Sequence, residues 1–498
     1  MYTFSATEMI VNFVNEVNFA PAEPRAEGVF RWGAGGAILG PMLATLDKRG
    51  RVSVPKLAAF VAVFCIGGLI GALIVGSGLS PHRRVAALVR SLQSAPESRS
   101  QPPGRWRPAR GELADADLTD EQQRELESLV ALGYLDGSTR AGAEAGVVVH
   151  ESPRAYEGLN LMTSGHGPEA LLIDMDGRVL HSWCRSFDDI WPGRQLPPST
   201  KTHRFWRRAH VCPNGDLLAI FEGLGLVRLD RDSEIVWAYD GLCHHDLQVE
   251  DNGSVFVLER EPRIVPSIHP ERPILEDLVT ELGPDGEVLR RVSILEAFSR
   301  SGYSPLLDQL SLDDPRFMGD VFHTNTLELL DGSLAELCQA FARGNALVSV
   351  LRLDTVAVLN LDEPVVEWAL TGLWEEQHQP TFLPDGRLMV FDNRPTAGSS
   401  RVVEMDPLTQ ELLWSYEGAV DEPFFTSTCG SGQRLPNGNT LVTESDNGRA
   451  FEVTRGGQIV WEFVSPYRAG ENGELVATLF EVVRLPPDFP TEWAVAPE

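Results

Sequence analysis

Short turns built on Asn-Gly or Asp-Gly recur along the chain from about residue 158 onward, and each precedes a short apolar strand. Such turns are the strongest local signal for a β-hairpin, because glycine readily adopts the left-handed backbone that the turn needs. They occur in PNGDLLAI, DNGSVFVL, DGSLAEL, PDGRLMVF and PNGNTLVT. A second series, which includes DMDGRVLHSW and TRGGQIVWEF, alternates with the first. This alternation predicts a four-stranded antiparallel meander in each copy.

The turn glycines at 215, 253, 332, 386 and 438 are spaced 38, 79, 54 and 52 residues apart. A repeat near 50 residues with four strands per copy is typical of a β-propeller. A Pro-rich insertion around 261–273 and a helical stretch before Gly319 account for the long interval. Six blades are expected, and they start near Gly158, Thr202, His244, His323, His378 and Gly430.

The apolar run LFEVVRL at 479–485 is expected to complete the first blade and close the ring. The predicted fold class is therefore all-β, a six-bladed β-propeller over residues 158–487, with a tail at 488–498. A two-sheet sandwich is the alternative.

An uncharged run of 23 residues at 57–79 predicts a transmembrane helix, because it is long enough to cross a bilayer. Four basic residues flank it on each side, so the positive-inside rule does not orient it. The N-terminal segment 1–56 contains a weaker apolar stretch at 33–46. Residues 80–157 are expected to form a linker with one short amphipathic helix at 119–132.

The formal net charge of −29 opposes binding to nucleic acid or to an anionic membrane surface. An anionic substrate would need a locally basic pocket. The basic run KTHRFWRR at 201–208 could contribute to one, although such runs are more often solvated. The cysteines outside the apolar run lack C-x-x-C spacing, so a zinc-finger layout is excluded and at most two disulfides could form. These cysteines are Cys184, Cys212, Cys243, Cys338 and Cys429.

Three histidines occupy nearly the same place in three successive repeats. His245 and His378 each lie 8 residues before their turn glycine, and His323 lies 9 residues before its own. Equivalent positions in a propeller converge on the channel axis. By spacing, the equivalent of His323 is His244, and a shift of one residue turns a side chain to the opposite face of a strand. Either His244 or His245 can therefore be the inward-facing residue.

Three imidazoles could bind zinc, with Asp246 or Glu376 as neighbouring carboxylates. The sequence contains no H-x-H or H-E-x-x-H arrangement, and no metal is expected.

The motifs CHHD, FHTN, QHQPTFLPDGRLMVFDN, SSRVVEMDP and SGQRLPNGNTLVTES resemble those of the bacterial arylsulfotransferases over roughly residues 158–487. Members of that family are exported six-bladed propellers. They transfer a sulfonyl group from an aryl sulfate to a phenol by a ping-pong mechanism, through a sulfonated histidine and without the nucleotide sulfate donor. The resemblance implies small-molecule aryl sulfate and phenol as partners, no cofactor, and a periplasmic propeller on a single-pass inner-membrane anchor. Whether the protein forms a homodimer stays open.

Transferred motif by motif, the resemblance makes His378 the nucleophile. His323 and His245 would bind sulfonyl oxygens and act as acid or base. Arg352 is the candidate catalytic arginine, but it lies one residue from the implied position, which on a strand could turn it away. The further candidates for substrate contact are His244, Asn325, Arg401 and Arg434. For the last two arginines, a salt bridge with Glu404 or Glu444 is an equally good interpretation.

The sequence is also compatible with two other functions. A non-catalytic propeller could keep the fold and bind a ligand or a protein, and the displaced Arg352 favours this reading. A metal-dependent hydrolase or lyase could use the same histidines.

Overall fold

A computed structural model describes residues 106–108, 145–196, 200–268, 273–310, 319–419, 422–469, 473 and 475–494. The predicted transmembrane helix at 57–79, the apolar stretch at 33–46 and the helix at 119–132 lie outside these residues. In the described ranges, no helix combines the length and the apolar character needed to cross a bilayer.

The predicted six-bladed β-propeller is confirmed, with four antiparallel strands in each blade. From the channel outward, the strands of blade one are Leu479–Leu485, Leu159–Ser164, Glu169–Ile173 and Val179–Cys184. Those of blade two are Arg208–Val211, Leu217–Phe221, Gly225–Leu229 and Ile235–Tyr239. Those of blade three are Cys243–Val249, Val255–Ile264, Pro273–Leu282 and Val288–Ser293.

Blade four contains Thr324–Leu329, Ala346–Val350, Thr355–Asn360 and Val365–Thr371. Blade five contains His378–Phe382, Leu388–Asp392, Arg401–Met405 and Leu412–Tyr416. Blade six contains Ser431–Arg434, Thr440–Glu444, Arg449–Val453 and Ile459–Val464, with Gly146–His150 added as a fifth, outer strand.

The ring is closed as the sequence predicted. The C-terminal strand Leu479–Leu485 becomes the innermost strand of blade one and pairs antiparallel with Leu159–Ser164. A buried cluster reinforces this junction, since Arg484 donates through Nε to Asn160 Oδ1 (2.6 Å) and through Nη1 to Glu452 Oε2 (3.0 Å). Both ends of the propeller sequence are therefore held in one sheet.

The sequence predicts a strand directly after Gly332, and this prediction is wrong. The chain there forms turns and a short 3₁₀ helix, Gln339–Phe341, and the second strand of blade four begins only at Ala346. Phe341 is the physical reason, because its ring is buried between Trp368 (5.4 Å between centroids) and Phe382 (4.4 Å). Apolar packing of the loop thus overrides the hairpin signal.

The Pro-rich insertion is a long hairpin, because the two central strands of blade three each extend over ten residues. After blade three comes the short helix Ile294–Ser299, whose N-terminus is capped by the Ser293 hydroxyl accepting from Glu296 N (2.9 Å). A 3₁₀ helix, Ser304–Gln309, follows it. These elements pack on the apolar core between blades three and four.

Two strands fall in the interval 80–157 that was expected to be a linker. Gly146–His150 pairs with the outer strand of blade six, and Trp106–Pro108 pairs with Leu475–Ala477. The smaller remaining elements are the strands Arg468–Ala469, Gly418–Ala419 and Glu422–Pro423, the helix Phe187–Ile190, and the 3₁₀ helices Thr202–Arg204, Leu351–Leu353, Ser445–Asn447 and Glu492–Ala494.

Candidate active site

The innermost strands of the six blades run in the same direction and begin at the same mouth of the channel. His245 and His323 meet there, with ring centroids 4.8 Å apart and ring planes at 74°. Their backbones adopt left-handed φ angles of 53° and 51°. This backbone conformation is strained for residues other than glycine, and strained residues are found mainly at functional sites.

Bulges explain why turn spacing alone does not settle the register. The pairing shifts between His244 and Leu247 in blade three, and between His378 and Thr381 in blade five. His245 is the residue that reaches His323. His244 lies behind it, fully buried, with its Nδ1 2.9 Å from His245 Nδ1.

The hydrogen bonds of His378 assign its tautomer. Its Nδ1 is 2.8 Å from Asn393 Oδ1 and 3.1 Å from the Glu376 carbonyl oxygen. The Asn393 Nδ2 group donates to the carbonyls of Thr426 (3.0 Å) and Cys429 (2.8 Å), so Oδ1 must be the atom that faces the imidazole. Two acceptors therefore surround Nδ1, which carries the proton, and Nε2 keeps its lone pair.

The environment of His378 keeps the imidazole neutral. Burial lowers its pKa to about 3, the hydrogen bond with Asn393 opposes this shift, and the positive charges of Arg207 and His323 add to it. The lone pair of Nε2 is thus available throughout the ordinary pH range.

His323 forms a pair with a carboxylate. Its Nδ1 is 2.5 Å from Asp320 Oδ2. Burial alone would raise the pKa of Asp320, but the charge and hydrogen bond of His323 outweigh it and hold the pKa well below its usual value. Asp320 is therefore ionised and accepts a hydrogen bond from His323 Nδ1, which leaves Nε2 of His323 as the nitrogen for an acid–base role.

Arg260 lies close to three carboxylates and to His245. Its Nη2 lies 3.6 Å from Glu222 Oε1, 3.8 Å from Asp320 Oδ2 and 3.5 Å from His245 Nδ1. Its Nε lies 3.9 Å from Asp277 Oδ1. One largely buried guanidinium thus neutralises part of an acidic cluster, in which Glu222 accepts from the backbone N–H of His245 and Asp320 pairs with His323.

Among the described residues, Glu222, His244 and His245 have ligand atoms close enough to share a metal ion. The guanidinium of Arg260 already places a positive charge next to two of those ligands. The carboxylates considered from sequence are elsewhere, since Asp246 pairs with Arg208 (3.0 Å) and Glu376 offers its backbone carbonyl to His378. Arg260 would compete with a metal ion for Glu222.

Sequence reasoning named Arg207 only as part of the basic run at 201–208; it directly precedes the innermost strand of blade two. Its charge lowers the pKa of His245 and also of His378, which lies in the opposite blade, so the guanidinium acts at the centre of the mouth. A signal was present, because Arg207 lies 8 residues before Gly215, the same spacing that singled out His245.

The other predicted polar residues are divided between the site and its support. Asn325 donates through Nδ2 to the Gln377 carbonyl (2.9 Å) and so fixes the chain just before His378.

Arg352 lies in the 3₁₀ turn Leu351–Leu353, after its strand has ended at Val350, so strand alternation does not determine its direction. Its backbone N–H bonds the Phe322 carbonyl (3.0 Å), beside His323.

Arg401 and Arg434 have structural contacts. Arg401 donates to the buried Asp392 (2.8 Å), whose other oxygen accepts from Glu375 N in the loop that leads to His378. Arg434 pairs with the buried Glu404 and lies over the ring of Trp414. For Arg434, the salt-bridge interpretation describes the observed geometry.

The mouth thus combines a neutral imidazole with an available lone pair, a second imidazole paired with a carboxylate, and a buried guanidinium. A nucleophile, an acid–base group and a cation in one place suit the transfer of an anionic group.

A family model described as Arylsulfotransferase (ASST) matches residues 208–466, just over half of the chain. No curated protein matches the sequence. Among solved structures, a protein of unknown function from Bacteroides caccae is 12% identical, covering 66% of this chain and 98% of that one with a TM-score of 0.43. A streptogramin B lyase is 11% identical, covering 68% and 91% with a TM-score of 0.37. A virginiamycin B lyase from Staphylococcus aureus is 8% identical, covering 68% and 99% with a TM-score of 0.36.

Proposed function

The chain belongs to the arylsulfotransferase family, and on that basis we propose that it transfers a sulfonyl group from an aryl sulfate to a phenol in two half-reactions. The observation that carries the proposal is the tautomer of His378. The Asn393 amide holds the proton on Nδ1, so Nε2 is the nucleophile.

In the first half-reaction, the lone pair of His378 Nε2 attacks sulfur. The N–S bond forms as the S–O bond to the aryl group breaks, and the leaving oxygen takes a proton from His323. Asp320 stabilises the imidazolium form of His323 that supplies this proton. The products are a sulfonated His378 and a free phenol.

In the second half-reaction, an acceptor phenol attacks the same sulfur. His323 takes its proton, the new S–O bond forms, and the electrons of the N–S bond return to Nε2. Negative charge on the sulfonyl oxygens is balanced by Arg207 and by hydrogen bonds from His245. An acidic protein needs such a local cation, because its net charge of −29 repels the donor at long range.

The test is release of phenol from 4-nitrophenyl sulfate, with and without an acceptor phenol and with and without a chelator. We expect acceptor-dependent release that resists chelation. His378→Ala should abolish it, and peptide mass spectrometry of wild-type protein treated with donor alone should find one SO₃ group on the peptide that contains His378. His150→Ala, at a histidine paired with Asp176 on the added strand of blade six, is the matched control and should keep wild-type activity.

Release that chelation abolishes would replace this proposal with a metal-dependent hydrolase. Absence of release with several aryl sulfates would leave a non-catalytic binding propeller.

We also propose that residues 57–79 anchor the propeller to the inner membrane, with the propeller in the periplasm. The support is the uncharged run of 23 residues. Protease added to intact spheroplasts should degrade the propeller, and carbonate should not extract the full chain. Protection of the propeller until the spheroplasts are lysed would reverse the orientation.

A further inference from the structure

A fully buried carboxyl group lies behind the histidines of blades three and four. Asp277 belongs to the third strand of blade three, Pro273–Leu282, and its Oδ2 accepts a hydrogen bond from Thr324 N (2.7 Å), directly after His323. Its other oxygen, Oδ1, has no hydrogen-bond partner among the described residues. It lies 3.5 Å from Nε2 of His244, which is also without a hydrogen-bond partner there. Two buried polar atoms that face each other can satisfy one another only if one of them carries a proton.

Arg260 determines which nitrogen of His245 carries the proton. Its Nη2 lies 3.5 Å from His245 Nδ1, and a guanidinium can only donate, so Nδ1 is the acceptor. Glu222 Oε1 lies 3.3 Å from the same nitrogen, but the Glu222 carboxylate accepts from the backbone N–H of His245 (3.0 Å) and lies 3.6 Å from Arg260 Nη2. The proton of His245 is therefore on Nε2, at the other edge of the ring.

His244 connects His245 with Asp277. Burial holds the pKa of His244 well below its ordinary value, so the ring is neutral and carries one proton. A hydrogen bond to the Glu259 backbone opposes that shift, and it belongs to Nδ1, because Nε2 has no partner among the residues described. The same Nδ1 lies 2.9 Å from the acceptor Nδ1 of His245. His244 thus donates through Nδ1 and keeps a lone pair on Nε2, which faces Asp277.

We propose that Asp277 is an uncharged carboxylic acid that donates through Oδ1 to His244 Nε2, and that it is a positioning residue for His245. Each contact of the chain then joins one donor to one acceptor, and the N–H of His245 Nε2 is held toward the mouth. There it donates to the sulfonyl oxygens of the substrate, so the inference rests on the proposed function. An ionised Asp277 would instead place a negative charge against the lone pair of His244.

The charges around Asp277 agree with this assignment. Burial raises the pKa of Asp277 to about 6, the charge of Asp320 adds to the shift, and Arg260 and hydrogen bonds from Thr324 oppose it. Burial would also raise the pKa of Asp320, but His323 holds it well below the usual value, so Asp320 is the ionised member of the pair. The guanidinium of Arg260 lies close to both carboxyl groups and to a third, and one charge cannot neutralise all of them. A proton on Asp277 removes the repulsion between two carboxylates.

Spectroscopy at pH 6 tests the order of protons separately from turnover. ¹⁵N NMR of the histidine-labelled full chain, with signals assigned from His244→Ala and His245→Ala, should show Nδ1–H for His244 and Nε2–H for His245. The infrared difference spectrum between the wild type and Asp277→Asn should contain the C=O stretch of a protonated carboxyl group in the wild type. Asp277→Asn should keep both tautomers, because its oxygen accepts from Thr324 N and its amide then donates to His244 Nε2.

Turnover at the same pH separates positioning from folding. Asp277→Asn should release phenol from 4-nitrophenyl sulfate nearly as fast as the wild type. Asp277→Ala removes the donor and allows the Nδ1–H form of His245. It should slow release roughly 10- to 100-fold, less than the loss of a donor that contacts the sulfonyl group directly. Thermal unfolding shows whether each variant is folded at the assay temperature, and Asp277→Ser replaces Asp277→Ala if the latter unfolds.

Glu452→Gln is the matched control. Glu452 is also fully buried and accepts a backbone N–H, that of Tyr156 (2.8 Å), but it lies at the junction of blades one and six. The substitution should lower the free energy of unfolding and change neither the two tautomers nor the rate of phenol release.

The outcomes separate this inference from the proposed function. Nε2–H on His245 together with a protonated Asp277 supports the inference even if no aryl sulfate acts as a donor. Nδ1–H on His245, or a difference spectrum without the carboxyl band, overturns it whether or not transfer occurs. Transfer that is equally fast in Asp277→Ala and the wild type, or equally slow in Asp277→Asn and Asp277→Ala, also overturns it and leaves the function standing.

Discussion

At the scale of single residues, the chemistry depends on which nitrogen of His378 carries a proton. Asn393 decides this through one hydrogen bond, because its own amide is fixed by two backbone carbonyls. It touches no substrate, so it is a positioning residue. Asn393→Ala should allow the Nε2–H tautomer and slow formation of sulfonated His378 roughly 10²- to 10⁴-fold.

The readout that separates positioning from folding is ¹⁵N NMR of labelled histidine, which should show His378 moving from the Nδ1–H to the Nε2–H tautomer in Asn393→Ala. Asn345→Ala is the matched control. Asn345 is also buried and donates to a backbone carbonyl, that of Ala340, but it lies in the loop of blade four. It should cost stability and leave the tautomer unchanged. An Nδ1–H signal that persists in Asn393→Ala would refute the assignment.

Residue positions in this site could be predicted only where they follow the repeat. Turn spacing placed His245, His323 and His378 at one mouth, and the same count finds Arg207. It could not find Asn393, which lies at the far end of a neighbouring strand, or Arg260, which follows a residue paired with Cys243. Their roles depend on which residues of two strands pair, and the spacing of residues along one strand does not determine this pairing.

At the scale of elements, the innermost strands carry a second layer of charge below the mouth. Arg208 contacts both Asp246 and Glu481, and Glu328 lies close enough for the charge of Asp246 to act on it. Burial raises the pKa of Glu328 to about 7, and hydrogen bonds from Thr381 and Phe382 oppose the shift. These strands thus contain three carboxyl groups near Arg208, more than the charge of one guanidinium can neutralise.

Glu328→Gln should therefore stabilise the protein in a pH-dependent way. The pKa of Glu328 is higher in the folded protein (about 7) than its ordinary value of 4.5, so the protonated form stabilises the fold below pH 4.5. That contribution is lost as the pH rises through 7, whereas glutamine keeps it. The gain in the free energy of unfolding should be near zero at pH 4.5 and reach about 2 kcal/mol at pH 8, less than the full shift because the side chain is only half-buried.

Urea denaturation of the wild type and the variant at pH 4.5, 6 and 8 measures this difference. The same pair of measurements on Glu411→Gln, at an exposed turn of blade five, should show no change with pH. A gain for Glu328→Gln that is equal at all three pH values would mean that the carboxyl titrates normally.

Elements were predictable where turn chemistry and apolar packing agreed. The turns before Leu217, Val255, Leu388 and Thr440 each lead into a strand, as their Asn-Gly or Asp-Gly sequences indicate. After Gly332 the turn sequence predicts a strand, but burial of Phe341 favours a loop, and the chain forms the loop. The bulges at His244 and His378 were also not predictable, because an extra residue in one strand is defined only against its partner.

At the scale of the whole molecule, a tryptophan on an outer strand repeatedly joins one blade to the next. The indole N–H of Trp183 donates to the Gly215 carbonyl (3.0 Å), and that of Trp461 donates to the Met175 carbonyl (2.9 Å). Trp237 and Trp414 do the same for Pro284 and Arg455. Each bond joins an outer strand to a turn of the next blade, so the stability of one blade depends on its neighbours.

Ring closure should therefore be all-or-none. A chain ending after Thr478 lacks the innermost strand of blade one and leaves Leu159–Ser164 with an open edge, so it should be insoluble or unfolded. A chain ending after Pro487 keeps that strand and loses Trp493, which packs 5.5 Å from Trp183 and bonds the Pro213 carbonyl. It should stay folded and lose about 1–3 kcal/mol of stability.

Circular dichroism and size-exclusion chromatography distinguish the two truncations, and a synthetic peptide of residues 475–494 added during refolding should rescue the shorter one. Rescue follows from the pairing itself, since the peptide restores the backbone hydrogen bonds to Leu159–Ser164 and brings back the Arg484 bond to Glu452. The peptide with Arg484→Met should rescue less well, because it leaves the buried Glu452 without that partner. A folded, soluble chain ending after Thr478 would show that five complete blades and an open sixth suffice.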